Sequence, residues 1–286
     1  MNKIVKKLYY LLPFKREIYS LLRKVYSPGT SLAGYLKFTG SFVFVIEKVS
    51  FRIYNRNLTI PTLLFWKGIN GYEPLTLITW MKLSEQASIV FDVGANFGLF
   101  GLITKSVNRN CSVHCFEPLK RNSTLIEINS KLNGFDIHNC CAAVSDKEGT
   151  NLFYDMDSYD NTIGSFNKEF VNKHKHHTQL VPIKVDTITL DRYAERNSIS
   201  KIDLLKIDVE GHELEVLQGA LDLIRRGKPQ LVIEITDETT WMGVVKVLRS
   251  IHPNYRFYVI SEFKGLIEVM EYNALEGRNI LACVNG

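Results

Sequence analysis

The stretch VFDVGANFGL, residues 90–99, decides how the rest of the chain is read. An apolar strand pattern ends near Asp92, a turn carrying Gly94 follows, and a helix pattern opens at about Gly98. Glycine at both places lets the backbone turn tightly and lets a ligand come close, because a side chain would stand in the way. Amide hydrogens at the helix start suit an anionic group such as the carboxylate of an amino acid. Gly101 would let the same helix lie close to its sheet.

The spacing narrows what the turn serves. A dinucleotide fingerprint needs G-x-G-x-x-G, whereas Asn96 stands where the middle glycine would admit a pyrophosphate. No Gly-Lys-Ser or Gly-Lys-Thr follows, which excludes a P-loop. The absence of an obvious Tyr-x-x-x-Lys arrangement further disfavours a nicotinamide-dependent oxidoreductase. The next motif is HCFEP, in which Glu117 ends a second strand about 20 residues after the glycine loop, where a carboxylate can accept both hydroxyl hydrogens of a ribose. Pro118 would shape the wall beside a base. Farther on, AAVSD brings backbone groups of Ala142, Ala143 and Ser145, with Asp146, to a place that frames the base; a turn or capping role is equally open to Asp146.

From residue 89 onward, short apolar runs alternate with amphipathic helical stretches, the pattern of a parallel sheet covered on both faces. The runs read as strands are SIVFDV, SVHCFE, IHNCCAAV, IDLLKIDV, QLVIEI, RFYVI and NILACV. Helices are expected at 99–107, 120–133, 190–197, 213–225 and 239–250. Within an insertion at 146–186, NLFYDM and LVPIKV read as an extra strand pair around a polar loop, the kind of segment that selects substrates. The final two strands, joined by an excursion over 261–278, are expected as an antiparallel pair.

IDLLKIDVEGHELEVLQGA joins an apolar strand to Asp208, Glu210, Gly211 and His212 and then to an amphipathic helix. In an open α/β sheet, the carboxyl edge binds ligands, so Asp208 should share a crevice with Asp92 and Glu117, and QLVIEI places Glu234 at the same edge. Gathering such carboxylates is costly unless a cation, a proton or a positively charged ligand uses them. Asp208, Glu210, His212 or Glu234 would serve as a base towards a hydroxyl. A divalent metal on Asp208 and Glu234 would instead lower the hydroxyl's pKa. His212 can equally be a helix-start residue with a local hydrogen bond, and Glu210 a charge favourable to the helix dipole.

The remaining features exclude more than they assign. The histidines of KHKHH, 173–177, read as a solvated basic loop. No GxSxG, HExxH or CxxC appears, against serine hydrolases, zincins and thiol redox enzymes. The five cysteines, without a secretory leader, fit reduced packing thiols of a cytoplasmic protein. Lys3, Lys6, Lys7, Lys15, Arg16, Arg23 and Lys24 face only Glu17 in residues 1–26, and apolar residues recur between them at near-helical spacing, interrupted by Pro13. Two arrangements follow: the segment lies peripherally on an anionic membrane, or its apolar stripe packs on the domain and leaves the lysines in water. Because the charge sits in this leader and not along an aromatic groove, no nucleic-acid partner is expected.

The order VFDVGANFG, FEP, AAVSD, VDTITLD, IDLLKIDVEGHELEVLQGA and LVIEI resembles the FkbM family of methyltransferases, over roughly residues 72–235 and including YEP ahead of the glycine loop. The resemblance implies a Rossmann-like class I methyltransferase sandwich: an α/β fold with a seven-stranded, mostly parallel sheet and one antiparallel strand. It implies S-adenosylmethionine as the donor, with Asp92, Gly94, Asn96 and Gly98 on its methionine side, Glu117 on its ribose, Glu73 of YEP among the donor-binding residues, and Asp208, Glu210 and Gly211 in the second motif. It also implies O-methylation, of a sugar hydroxyl in a cell-surface glycan or lipid-linked saccharide, or of a secondary metabolite. A silent scaffold that binds a membrane or partner is the reading from another class. The expected organisation is a leader at 1–28, a β preamble with lead-in helix at 29–85, and the methyltransferase domain at 86–286.

Overall fold

The computed structural model describes residues 14–156, 164–166, 180–272 and 277–284. The chain divides into two compact units, Met1–Tyr72 and Glu73–Gly286. The boundary falls just ahead of the lead-in helix, which therefore belongs to the second unit and not to the β preamble.

In the first unit, helices α1 (Lys15–Leu22) and α2 (Thr30–Tyr35) precede an antiparallel hairpin, β1 (Thr39–Ile46) and β2 (Val49–Arg56). Helix α3 (Thr59–Lys67) and a short 3-10 turn, Gly68–Gly71, follow. Strict alternation along β1 buries Phe42, Phe44 and Ile46 and turns Val43 and Val45 outward. Phe38, Phe42, Phe65, Trp66 and Tyr19 form an aromatic cluster with ring centroids 4.6–6.4 Å apart. The buried Asn55 is satisfied locally, donating to Thr62 Oγ1 at 2.9 Å and accepting from the Leu58 amide at 2.9 Å.

The second unit opens with α4 (Pro74–Ser84) and then alternates strand and helix. β3 (Ile89–Val93), α5 (Leu99–Val107), β4 (Ser112–Phe116), α6 (Lys120–Asn133) and β5 (Ile137–Cys140) form its first half. The second half holds α7 (Leu190–Arg196), β10 (Leu204–Ile207), α8 (Glu213–Gln218), α9 (Leu221–Gly227), β11 (Gln230–Glu234), α10 (Glu238–Ile251), β12 (Tyr255–Ser261), β13 (Gly265–Glu268) and β14 (Asn279–Val284). Between the halves lie β6 (Ala143–Val144), β7 (Gly149–Met156), β8 (Gly164–Ser165) and β9 (Leu180–Ile188).

The main sheet runs β13-β12-β14-β11-β10-β3-β4-β5. Its centre is parallel, while β14 runs against both β11 and β12. The seven strands expected are all present, and the excursion before β14 adds an eighth, β13, antiparallel on the edge of β12. The expected single reversed strand thus becomes two. All four residues of β10 are buried, as strands covered on both faces require. Side chains of α7 to α10 complete one apolar core with Leu205, Ile207, Leu231 and Ile233.

Two further expectations change. The run IHNCCAAV splits: β5 stays in the main sheet, while β6 pairs with β9 in a separate four-stranded sheet, β6-β9-β7-β8. The expected strand pair of the insertion is β7 with β9, antiparallel from Gly149↔Thr187 to Met156↔Leu180. The single helix expected at 213–225 is broken into α8 and α9 at Gly219 and Ala220. Gly219 has no room for a side chain there, because a Cβ would collide with the Ser145 carbonyl.

Candidate active site

The chain order sends β4 and β5 to one side of β3 and β10 and β11 to the other, so the carboxyl ends of β3 and β10 flank a topological switch point, where open α/β sheets bind ligands. Asp92 on β3, Asp208 just beyond β10, Glu234 at the end of β11 and Glu117 just beyond β4 all fall on this edge. Register brings them together: Lys206 lies beside Asp92, and Glu234 beside Asn279 of the reversed strand β14.

The glycine loop is built for close approach. Gly94 has φ 79°, and a Cβ there would run into the carbonyl of Asp208, so the loop can reach the neighbouring strand end only without a side chain. Gly98 caps α5 in the left-handed region at φ 86°. The loop's own amides are largely committed. Gly94 and Ala95 both donate to the Phe116 carbonyl, at 3.0 and 3.1 Å, and Gly98 donates to Ala95 at 2.7 Å. Gly101 packs α5 against β4, where a Cβ would press on Cys115 Sγ at 2.9 Å.

Glu117 is fixed by the backbone around it. Its Oε2 accepts from the Asn96 amide at 2.9 Å, and its Oε1 accepts from the Leu119 amide at 2.9 Å and from Asn122 Nδ2 at 3.3 Å. Burial pushes its pKa up to about 7, against the pull of those hydrogen bonds and of Arg121. Asp92 is fully buried, and burial raises it to about 6 against the charge of Lys206. Its Oδ1 has no hydrogen-bond partner among the described residues. A buried carboxylate oxygen of this kind fits a cationic, hydrogen-bonding ligand.

Lys206 organises the second motif, and its importance was not read from the sequence. Its side chain is 3% exposed, with Nζ 2.7 Å from Asp208 Oδ2 and 4.3 Å from the Phe100 ring centroid. Burial alone would raise the pKa of Asp208, but Lys206 and a hydrogen bond shared with Glu234 outweigh it and hold Asp208 below the usual carboxylate value. Glu234 moves the other way, up to about 10, through burial and the nearby charges of Asp208 and Glu210. At neutral pH the pair is therefore an ionised Asp208 accepting a hydrogen bond from a protonated Glu234. Oxygens of Asp208, Glu210 and Glu234 lie within 4.8 Å of one another, a spacing that would also suit a divalent cation, which would have to displace that proton.

Glu73 joins the same site from the start of α4. Asn279 Nδ2 donates to its Oε2 at 3.0 Å, and burial followed by the charge of Asp208 raises its pKa to about 7. Glu73, Asn96 and Glu210 all hold positive φ, at 38°, 54° and 57°, so three non-glycine residues with strained backbone meet at this edge.

His212 has both ring nitrogens engaged: Nε2 is 3.0 Å from Ser145 Oγ, and Nδ1 is 3.4 Å from Glu215 Oε2. The ring of Phe166 lies over it, centroids 4.5 Å apart, and burial lowers its pKa. Asp146 accepts from Ser145 Oγ at 3.2 Å, so it supports the same clamp. Ala143 is buried with Leu119, Phe153 and Val185, and its strand pairs with β9, which commits it to the small sheet's core, while the Pro118 carbonyl lies 3.9 Å from Cys141 Sγ. The other residue missed was Glu213, buried and accepting from the Gly211 amide at 3.0 Å, which closes the Glu210–Gly211 turn. The histidines of 173–177 lie outside the described residues.

The description that matches this chain is the Methyltransferase FkbM domain, over residues 92–277. The chain belongs to the FkbM-domain methyltransferase family. It is 29% identical over 213 residues to the 31-O-demethyl-FK506 methyltransferase FkbM of Streptomyces tacrolimicus, covering 66% of this chain and 80% of that one. It is 27% identical over 175 residues to Methyltransferase 1 of Beauveria bassiana, covering 56% and 70%. Among solved structures, the methyltransferase FkbM of Methylobacillus flagellatus is 17% identical with a TM-score of 0.44, and the match covers 70% of this chain and 44% of that longer one. This FkbM-domain protein is thus an S-adenosylmethionine-dependent methyltransferase with a class I-like α/β fold and a mixed, mostly parallel sheet. The unpartnered Asp92 oxygen and the ribose-type carboxylate Glu117 fit that donor.

Proposed function

We propose that the enzyme transfers a methyl group to a hydroxyl of a small hydroxylated metabolite, with Asp208 and Glu234 acting as one proton-accepting pair. The observation that carries this reading is the Asp208–Glu234 pair at the switch point, held by the buried ammonium of Lys206. S-adenosylmethionine supplies a methyl carbon activated by its sulfonium charge. As an acceptor oxygen bonds to carbon, its hydroxyl proton becomes strongly acidic, so a carboxylate as weakly basic as Asp208 suffices to take it. Lys206 keeps Asp208 ionised for that purpose, and Glu117 would hold the donor's ribose hydroxyls with the remaining acceptor sites of its carboxylate.

The insertion supplies the acceptor side. Arg121 of α6 pairs with both carboxylate oxygens of Asp155 on β7, while Ser165 Oγ donates to the Glu210 carbonyl at 2.7 Å. The β7–β8 edge of the small sheet is thus tied both to the helix after Glu117 and to the Asp208–His212 loop. The metabolite class is favoured by the relative from Streptomyces tacrolimicus, whose name gives 31-O-demethyl-FK506 as what it methylates. A saccharide, free or lipid-linked, is the second reading, favoured by the cationic first unit.

A labelled-donor assay against hydroxylated metabolites and lipid-linked saccharide fractions, with mass location of the added methyl, tests both. Label on a metabolite oxygen supports the first, and label on a sugar oxygen supports the second. Transfer to nitrogen or carbon alone rejects the hydroxyl chemistry.

A further inference from the structure

Helix α1 is fastened by the side that its amphipathic pattern would leave outside. Lys15, Tyr19 and Arg23, spaced i, i+4, i+8, face the first unit's aromatic cluster. The Tyr19 ring lies 5.2 Å from Trp66 and 6.4 Å from Phe38. The Arg23 guanidinium sits 4.7 Å over the Phe65 ring and donates to the Phe65 carbonyl at 3.1 Å. The opposite face carries Ile18, Leu21 and Leu22, with Phe14 just before the helix and Val25 in the turn after it, and these side chains are 43% to 86% exposed. Rolling that stripe inward would break the Tyr19 and Arg23 contacts.

The charge of the unit indicates what the stripe meets. Residues 1–72 hold eight lysines and four arginines against Glu17 and Glu47 alone, while the remainder of the chain has more acidic residues than basic ones. We infer that the Phe14–Val25 face of α1 docks on an anionic lipid surface, its apolar side chains entering the headgroup boundary and the unit's cations drawn to the lipid charge. An aliphatic stripe bordered by Lys and Arg matches an interfacial helix. A nucleic-acid face would present cations with aromatics and would leave Leu21, Leu22 and Val25 without a role. Two copies of so cationic a unit repel one another, which argues against self-association through this face.

The test uses the full chain with vesicles of phosphatidylcholine alone and of phosphatidylcholine with phosphatidylglycerol, read by co-sedimentation at low and high salt. Binding is expected only to the anionic vesicles and should weaken as salt rises. Leu21→Ser and Val25→Ser should each weaken it about tenfold, the cost of one apolar side chain no longer buried, with the thermal midpoint and S-adenosylmethionine affinity unchanged. Absence of binding by the unaltered chain would overturn the inference, as would vesicle binding insensitive to both substitutions. A large loss of thermal stability in the variants would show that the stripe is already packed within the chain and would overturn the inference. A dimer that dissociates in the variants, or a nucleic acid that the unaltered chain binds and the variants release, would assign the face to another partner and overturn the inference.

Discussion

Lys206 Nζ lies 2.7 Å from Asp208 Oδ2, two residues along the same chain, with the lysine side chain 3% exposed and the Asp92 position beside it in the sheet. Asp208 follows β10 directly, two residues after Lys206, so the two side chains meet without any long-range device. The ammonium is thereby placed among carboxylates that would otherwise repel one another. Lys206→Met removes it and strands two buried acids. The expected loss is about 3–5 kcal/mol, the range for breaking a buried pair by deleting one partner. Urea unfolding measures it, and the double variant Lys206→Met/Asp208→Asn should recover part of the loss. A single variant as stable as the parent would show that the pair carries no such weight.

Glu117 is expected to matter for donor binding more than for turnover. Glu117→Ala removes the acceptor of the Asn96 and Leu119 amides and of the ribose hydroxyls, weakening binding by on the order of 1–3 kcal/mol. Calorimetry should show the same loss for S-adenosylmethionine and S-adenosylhomocysteine, because both carry the ribose. Unchanged affinity for either would remove Glu117 from the donor site.

Stability of the unliganded enzyme should fall as pH rises from about 5 to about 7. Glu73, Glu117 and Glu213 are raised to about 7, Asp92 to about 6 and Glu234 to about 10, mainly by burial. Each is ionised in the unfolded chain while still protonated in the folded one, so its stabilising contribution is complete below the unfolded pKa and lost as pH climbs through the folded value. The buried His114 and His212, whose pKa values are lowered, act in the opposite sense. They are fewer than the carboxylates. Thermal midpoints measured across this window should decline, and a midpoint that climbs steadily would mean that these carboxylates are ionised in the fold.

Much of the site was legible in the sequence because local pattern and chemistry agree there. The glycines of the first loop, Glu117 after its strand and the Asp208–His212 turn each sit where a strand run ends, and a parallel sheet aligns such ends by itself. Lys206 was not legible, since a lysine inside LLKI reads as an interruption until strand register sets it beside Asp92. Glu213 was hidden for the opposite reason, a helix-start carboxylate that looks solvated but folds back on Gly211. The small sheet depends on β6, only two residues long, pairing with β9 across the insertion, a contact too distant in sequence for any period to signal. For helix α1 the sequence leaves two arrangements open, because periodicity marks which face is apolar, not which face the neighbouring aromatics accept.

The central claim is that Asp208, held by Lys206 and Glu234, accepts the proton released by an acceptor hydroxyl. Single-turnover methyl transfer by Asp208→Asn, once an acceptor is in hand, tests it most directly. The predicted result is a fall in rate of about 10²- to 10⁴-fold, the usual contribution of a positioned base, with S-adenosylhomocysteine affinity within about twofold of the parent, a few tenths of a kcal/mol. Transfer at the parent rate by this variant, with donor binding intact, would contradict it.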